Sequence, residues 1–171
     1  MVLNPEKQQR RSIRLKKYNY SQPGYYFITA CTQNRQCLFG EIDNNIMKSG
    51  GFGNIVKDTW NDLPNHNYNI LLDSFVIMPN HIHGIIQFVG AGSKPAQSGK
   101  NHPLSEIVRQ FKTFSARRIN KTQNKKGFPI WQRNYYEHII RNESELDKTR
   151  KYIVDNPVTW TEDKDNPINF R

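Results

Sequence analysis

A chain of 171 residues has room for one domain with a proper core. It carries 25 Lys and Arg against 15 Asp and Glu, a net charge of +10 and a pI near 9.7. A membrane span is excluded, because the longest apolar runs, such as 82–89, are interrupted by glycine and glutamine. The N-terminus is basic without an apolar stretch behind it, so no signal peptide is expected. Cys31 and Cys37 have no metal-type spacing and read as reduced thiols of a cytoplasmic protein.

The positive charge is clustered. A tail over 1–17 holds Lys7, Arg10, Arg11, Arg14, Lys16 and Lys17 against the single acid Glu6. Tyr18 to Gly24 follows as a turn-rich entry, and 25–32 is a first strand dense in β-formers. The segment 33–53 is read as irregular, with Gly40, Asp43-Asn44-Asn45 and Gly50-Gly51 as breakers. Over 54–63 the apolar spacing turns helical, with Ile55, Val56, Thr59, Trp60 and Leu63 on one face and Pro64 as a stop. Strands are expected over 70–78 and 81–89, separated by Pro79-Asn80. A linker-like stretch spans 91–100.

Ser105 is expected to cap a second helix with Ile107, Val108, Phe111, Phe114, Ser115 and Ile119 as its apolar stripe. Arg109, Lys112, Arg117 and Arg118 lie largely off that stripe and, with Arg14, Lys16, Lys17 and Arg133, are candidate contacts to a polyanion. A fourth strand is expected over 130–141, and a third helix from Asn142 or Ser144 to the stop at Asn156-Pro157. The order is βαββαβ plus one helix: an α+β, ferredoxin-like antiparallel sheet with two helices on one face. Strands one and three are then central, and the extra helix can cover the free face.

The chemistry concentrates in two places. His81 and His83 alternate with Ile82, so the imidazoles share a face about 7 Å apart along the strand, a spacing that can hold a divalent metal. They can equally be polar residues of a solvated sheet face. Tyr152 and Asn156 stand four apart on one side of the third helix. A tyrosine hydroxyl ionises near pH 10 and is a weak nucleophile unless a metal polarises its target. On spacing alone, Tyr152 can also be a core aromatic and Asn156 a helix cap.

Pro79-Asn80-His81-Ile82-His83-Gly84 resembles the histidine–hydrophobe–histidine motif of HUH endonucleases. Tyr152-Ile153-Val154-Asp155-Asn156-Pro157 resembles the single-tyrosine helix of their small transposase branch. With the 18–24 entry, Thr32-Gln33-Asn34-Arg35, Trp131-Gln132-Arg133 and Tyr136-Glu137-His138, the chain is similar over 18–160 to REP-associated tyrosine transposases. These bacterial proteins are related to the transposases of single-strand insertion sequences. The resemblance implies a domain over 18–160 followed by a tail over 161–171. It also implies a single-stranded DNA endonuclease and strand transferase. In that scheme Tyr152 is the nucleophile, forming a 5′-phosphotyrosine, and His81 and His83 hold Mg²⁺ or Mn²⁺. Asn156 becomes the third metal ligand, where larger relatives place glutamine. Hairpin-forming palindromic DNA is the implied partner, with a homodimer as a further option.

His138 falls in the resembling stretch as a candidate to support the site from behind the ligands. Glu137 alternates with it and should face the other way. The rival reading is a non-catalytic protein that binds single-stranded DNA or RNA hairpins, since RNA-recognition domains share this topology. Against it, no aromatic consensus lies on strands one or three, and such a module has no use for His81, His83 and Tyr152 together.

Overall fold

The computed structural model describes residues 22–90 and 101–169. The tail bearing Arg14, Lys16 and Lys17, and the 91–100 stretch, lie outside these residues. Strands β1 (Gly24–Cys31), β4 (Ile70–Met78), β5 (His81–Phe88) and β6 (Tyr136–Ile140) form an antiparallel sheet in the order β4-β5-β1-β6. Helices α1 (Gly51–Asn61) and α3 (Leu104–Thr122) cover one face, the short α2 (Leu63–His66) follows α1, and α4 (Glu143–Asp155) packs against the other face. The expected βαββαβ plan and its central strands one and three are therefore present.

Alternation along β1 explains the two layers. Tyr26, Ile28 and Ala30 are fully buried against Val56, Trp60, Phe111 and Ile119 of α1 and α3. Phe27, one residue out of phase, joins Ile85, Ile140, Leu146 and Ile153 in a smaller cluster beneath α4. The strand Thr29 faces His83 and Cys31 faces His81 across the β1–β5 ladder, so both histidines rise on the α4 side. Ile82 is buried among the α1 and α3 residues, as alternation requires.

Gly84 is set by the opposite layer. A Cβ there would stand 2.5 Å from Cζ2 and Cη2 of Trp60, whose ring stacks on Phe75 at 4.6 Å. The indole edge closes on β5 from the face opposite the histidine pair, and only a residue without a side chain lets it approach.

Four expectations are corrected. The segment 33–53 contains a hairpin, β2 (Gly40–Asp43) and β3 (Ile46–Ser49), closed by Asn44 and Asn45 at φ 51° and 63°. Two asparagines in the left-handed region make a tight hairpin turn, so residues that read as breakers are the turn itself. Helix α1 starts at Gly51, three residues before the apolar period becomes visible. Helix α3 starts at Leu104 behind Pro103 as its N-cap, so Ser105 lies inside the first turn and caps nothing. The fourth strand is short: Trp131 makes one isolated bridge to Thr32, and regular pairing starts only at Tyr136. Between them, Lys112 Nζ donates to the carbonyls of Gln132 (2.6 Å), Arg133 (2.9 Å) and Asn134 (3.5 Å), fixing the backbone as a loop.

Helix α4 starts where the sequence places it, with the Asn142 side chain accepting from Glu145 N at 2.9 Å. Its apolar residues Leu146 and Ile153 are buried against Phe27 and Ile85. Arg150 forks onto Asp73 of β4, Nε to Oδ1 at 3.0 Å and Nη2 to Oδ2 at 2.7 Å, which fixes the helix over the sheet. Among the described residues no helix is long and apolar enough to cross a membrane, and Cys31 and Cys37 are both free.

Candidate active site

The two imidazoles converge more closely than strand spacing alone predicts. His81 Nε2 and His83 Nε2 lie 3.1 Å apart, with ring centroids at 4.6 Å and an interplanar angle of 67°. His81 is fully buried and His83 nearly so, which excludes the solvated-face alternative.

Their outer nitrogens are held from behind. Asn80 Nδ2 donates to Arg35 O (3.0 Å) and to Asp165 O (2.7 Å), which fixes the orientation of its amide. Asn80 Oδ1 is then the atom facing His81 Nδ1 at 2.8 Å, and since an amide oxygen only accepts, Nδ1 carries the proton. Thr29 Oγ1 lies 2.7 Å from His83 Nδ1 and can accept its proton in the same way. Both Nε2 lone pairs then point at a common volume. Burial lowers the His81 pKa, against the pull of Asp163 and Asp165, and places that of His83 well below the ordinary value. Both rings are therefore neutral near pH 7, the form that ligates metal.

Oxygen donors surround this volume. Asp163 Oδ2 is 3.7 Å from His81 Nε2, and the ligand atoms of His81, His83 and Asp163 lie within 4.8 Å of one another. Asn156 is buried, and its Oδ1 has no hydrogen-bond partner among the described residues. It also occupies the C-cap position of α4 with helical φ and ψ, so the cap and the inward-facing amide are one residue. A divalent metal fits this donor set: two nitrogens about 2.1 Å from one ion at right angles stand about 3.0 Å apart. An orphaned buried carbonyl oxygen and a carboxylate complete a mixed nitrogen and oxygen environment.

Tyr152 lies at the mouth. Its hydroxyl is 3.3 Å from His83 Nε2, and its ring meets His83 at 5.1 Å and Phe27 at 6.1 Å. It is 46% exposed, so it is no core aromatic. Burial of its hydroxyl raises the pKa, and the adjacent Asn156 amide opposes that rise. His83 Nε2 has one lone pair, so accepting the Tyr152 proton and ligating a metal are alternatives.

The remaining candidates separate. His138 Nε2 donates to Glu145 Oε1 of α4 at 2.6 Å and braces the helix start, away from the histidine pair. Glu137 faces the α3 side, buried, and accepts from the Tyr135 hydroxyl at 2.5 Å. Arg109 forks onto Glu106 (2.7 and 2.6 Å). Arg118 ties α3 to Thr59 (3.0 Å) and to Asp62 (2.9 Å) of the α1 end, and Lys112 serves the 132–134 carbonyls. Arg133 is exposed on that loop. Arg117 lines a groove of about 580 Å³ with Lys121, Lys125, Lys126 and the half-exposed Phe128.

Sequence reasoning passes over Thr29, Asn80 and Asp163. Asn80 stands beside the motif but reads as a turn residue. Asp163 follows a 3-10 turn (Trp160–Glu162) in a segment without a hydrophobic period, and only the fold returns it to His81.

Against known proteins, the profile of IS200-like transposases matches residues 19–156. An uncharacterized protein of Haemophilus influenzae strain Rd is 43% identical over 167 residues, covering 91% of this chain and 92% of that protein. A second Haemophilus protein, named as a candidate REP-associated tyrosine transposase, is 26% identical and covers 82% of this chain and 73% of its own length. Among solved structures, a REP-associated tyrosine transposase bound to a REP hairpin superposes with a TM-score of 0.60 at 20% identity, covering 85% of this chain and 73% of that one. At that identity the likeness speaks for the fold.

Proposed function

The chain belongs to the IS200-like transposase family, and from that premise we propose that it is a metal-dependent, single-stranded DNA endonuclease and strand transferase acting on hairpin DNA through Tyr152. The observation that carries the reading is the position of the Tyr152 hydroxyl, 3.3 Å from one member of a buried histidine pair whose Nε2 atoms converge at 3.1 Å.

His81 and His83 would hold Mg²⁺ or Mn²⁺, with Asn156 Oδ1 and Asp163 as the adjacent oxygen donors. When bound, the metal supplies charge that offsets the negative charge developing on a phosphate. Tyr152 Oη attacks the phosphorus, the bond to the 3′ oxygen breaks, and the proton lost by tyrosine is balanced by the one the released 3′-hydroxyl gains. The product is a 5′-phosphotyrosine that keeps the phosphodiester's bond energy, so a second 3′-hydroxyl can reverse the step without ATP. Phe27 and His83 hold the tyrosine ring in its orientation, and Arg150 on Asp73 holds the helix that carries it. The substrate is argued from the basic groove on α3, and from the hairpin held by the structurally similar REP-associated transposase.

The test is a denaturing gel of the protein with labelled hairpin oligonucleotides, with Mn²⁺ or Mg²⁺ and with EDTA. A metal-dependent, denaturant-resistant adduct is expected in the wild type and absent in Tyr152→Phe, which should still bind the hairpin. His81→Ala should lose cleavage while keeping most DNA affinity. An adduct that survives Tyr152→Phe refutes the assignment of the nucleophile. Hairpin binding with no adduct under any metal favours the non-catalytic reading.

A further inference from the structure

Beside the histidine pair, the sheet face opens into a cavity of about 480 Å³, walled by Phe27, Tyr136, Tyr152, Gln132, Asn134 and Lys164 among others. Three rings form its floor: Phe27 in the middle, with Tyr136 and Tyr152 meeting it edge-on at 6.2 and 6.1 Å. Tyr136 pairs with Thr29 across the ladder, so it stands next to the residue that orients His83, and it is 45% exposed. Neither the proposed phosphotyrosine step nor the metal donors use it.

The wall above is pre-organised. Lys112 holds three successive carbonyls of the 132–134 loop, Gln132 N donates to Cys31 O at 2.9 Å, and Trp131 Nε1 donates to Ser115 Oγ at 2.9 Å. With its backbone so fixed, the loop presents the side-chain amides of Gln132 and Asn134 without a hydrogen bond to any described residue. An amide carries both a donor and an acceptor, the pattern that pairs with the edge of a nucleobase. The acid on this wall, Asp165, is paired with Arg35 at 2.5 Å, so it presents no free anion.

We propose that this cavity takes the unpaired nucleobase next to the scissile phosphate, with Tyr136 as its stacking face and Gln132 and Asn134 as the residues that determine which base is accepted. The inference rests on the phosphotyrosine reading for which phosphate is meant, but the cavity can be tested apart from the chemistry. An exposed aromatic beside hydrogen-bonding side chains on a rigid loop is how proteins hold a splayed-out base. Placing that base also places its phosphate relative to Tyr152, which couples choice of sequence to cleavage.

The experiment uses the full chain in two readouts. In a Tyr152→Phe background, hairpin oligonucleotides carrying 2-aminopurine at each nucleotide flanking the cleavage position report stacking by fluorescence quenching. Quenching is expected at one of these positions and is lost with Tyr136→Ala, while Tyr136→Phe, which keeps the ring, retains it. With Tyr152 restored, an abasic nucleotide at that position should slow adduct formation about tenfold, the scale of one base–aromatic stack, and the penalty should vanish in Tyr136→Ala. Asn134→Ala and Gln132→Ala should flatten the preference among the four bases there. Quenching that persists in Tyr136→Ala, or an abasic penalty of equal size in that variant, overturns the proposal. Loss of the adduct in Tyr136→Phe overturns it too, by making Tyr136 a nucleophile. No adduct in the wild type, with Tyr136-dependent quenching intact, refutes the cleavage chemistry and leaves the base pocket standing.

Discussion

Asn80 is the residue whose removal separates the architecture of the site from its metal chemistry. It is fully buried and makes hydrogen bonds to Asp165 O (2.7 Å), His81 Nδ1 (2.8 Å) and Arg35 O (3.0 Å). In Asn80→Ala all three partners lose their buried mate, at about 1–3 kcal/mol each. Water reaching some of them brings the expected total to about 3–5 kcal/mol. A domain of this size has about 5–15 kcal/mol in hand, so the variant should fold, with a melting temperature about 6–20 °C lower. Without the acceptor, His81 is free to place its proton on Nε2, and Mn²⁺ affinity should fall about 10–100-fold. Asn80→Asp keeps an acceptor for His81 but sets a carboxylate oxygen against two carbonyls. It should remain destabilised by about 2–4 kcal/mol, yet recover most of the metal affinity. Urea unfolding in EDTA measures the first quantity and calorimetric Mn²⁺ titration the second. Unchanged Mn²⁺ affinity in a folded Asn80→Ala, or equal loss in both variants, would refute the tautomer argument.

Gly84→Ala should cost about 1–3 kcal/mol of stability, because its Cβ meets the Trp60 ring at 2.5 Å; an unaltered urea midpoint would show that the indole shifts freely. Asp163→Ala should weaken Mn²⁺ binding by about tenfold if its carboxylate is a donor, since cation affinity follows ligand charge; equal affinity would leave Asn156 as the oxygen ligand. Arg150→Ala should slow adduct formation about tenfold through misplacement of Tyr152, with hairpin affinity kept, and an unchanged rate would show that Leu146 and Ile153 alone hold the helix. Acid should destabilise the fold by a defined route. Asn65 and Arg118 lower the Asp62 pKa to about 2, and Arg150 lowers that of Asp73, both below the unfolded value of 3.8. Folded-state pKa values below the unfolded ones give stability that is complete above pH 5 or so and is lost as pH falls towards about 2. Asp62→Asn should flatten that fall, and an unchanged pH profile would assign the acid sensitivity elsewhere.

Much of this molecule is local in its causes. The period-2 pattern of β1, β4 and β5 and the period-3.6 stripes of α3 and α4 are written in neighbouring residues. So is the cap at Asn142. They suffice for the βαββαβ order and for placing His81 and His83 on the face opposite Ile82. Where the chain turns on itself the pattern is silent or misleading: Asn44-Asn45 and Gly50-Gly51 carry the marks of loop, yet make a hairpin turn and a helix start. The 130–135 stretch carries the marks of strand, and a lysine 20 positions or more away takes the carbonyls a strand would have used. The site divides in the same way. Two histidines two positions apart, and a tyrosine one helical turn from an asparagine, are visible in the sequence because regular backbone repeats fix their faces. The 3.1 Å approach of the Nε2 atoms, the proton held on His81 Nδ1 by Asn80, and the return of Asp163 to the histidines depend on side chains meeting across long loops. No periodicity encodes those meetings, and only the packed tertiary structure decides them.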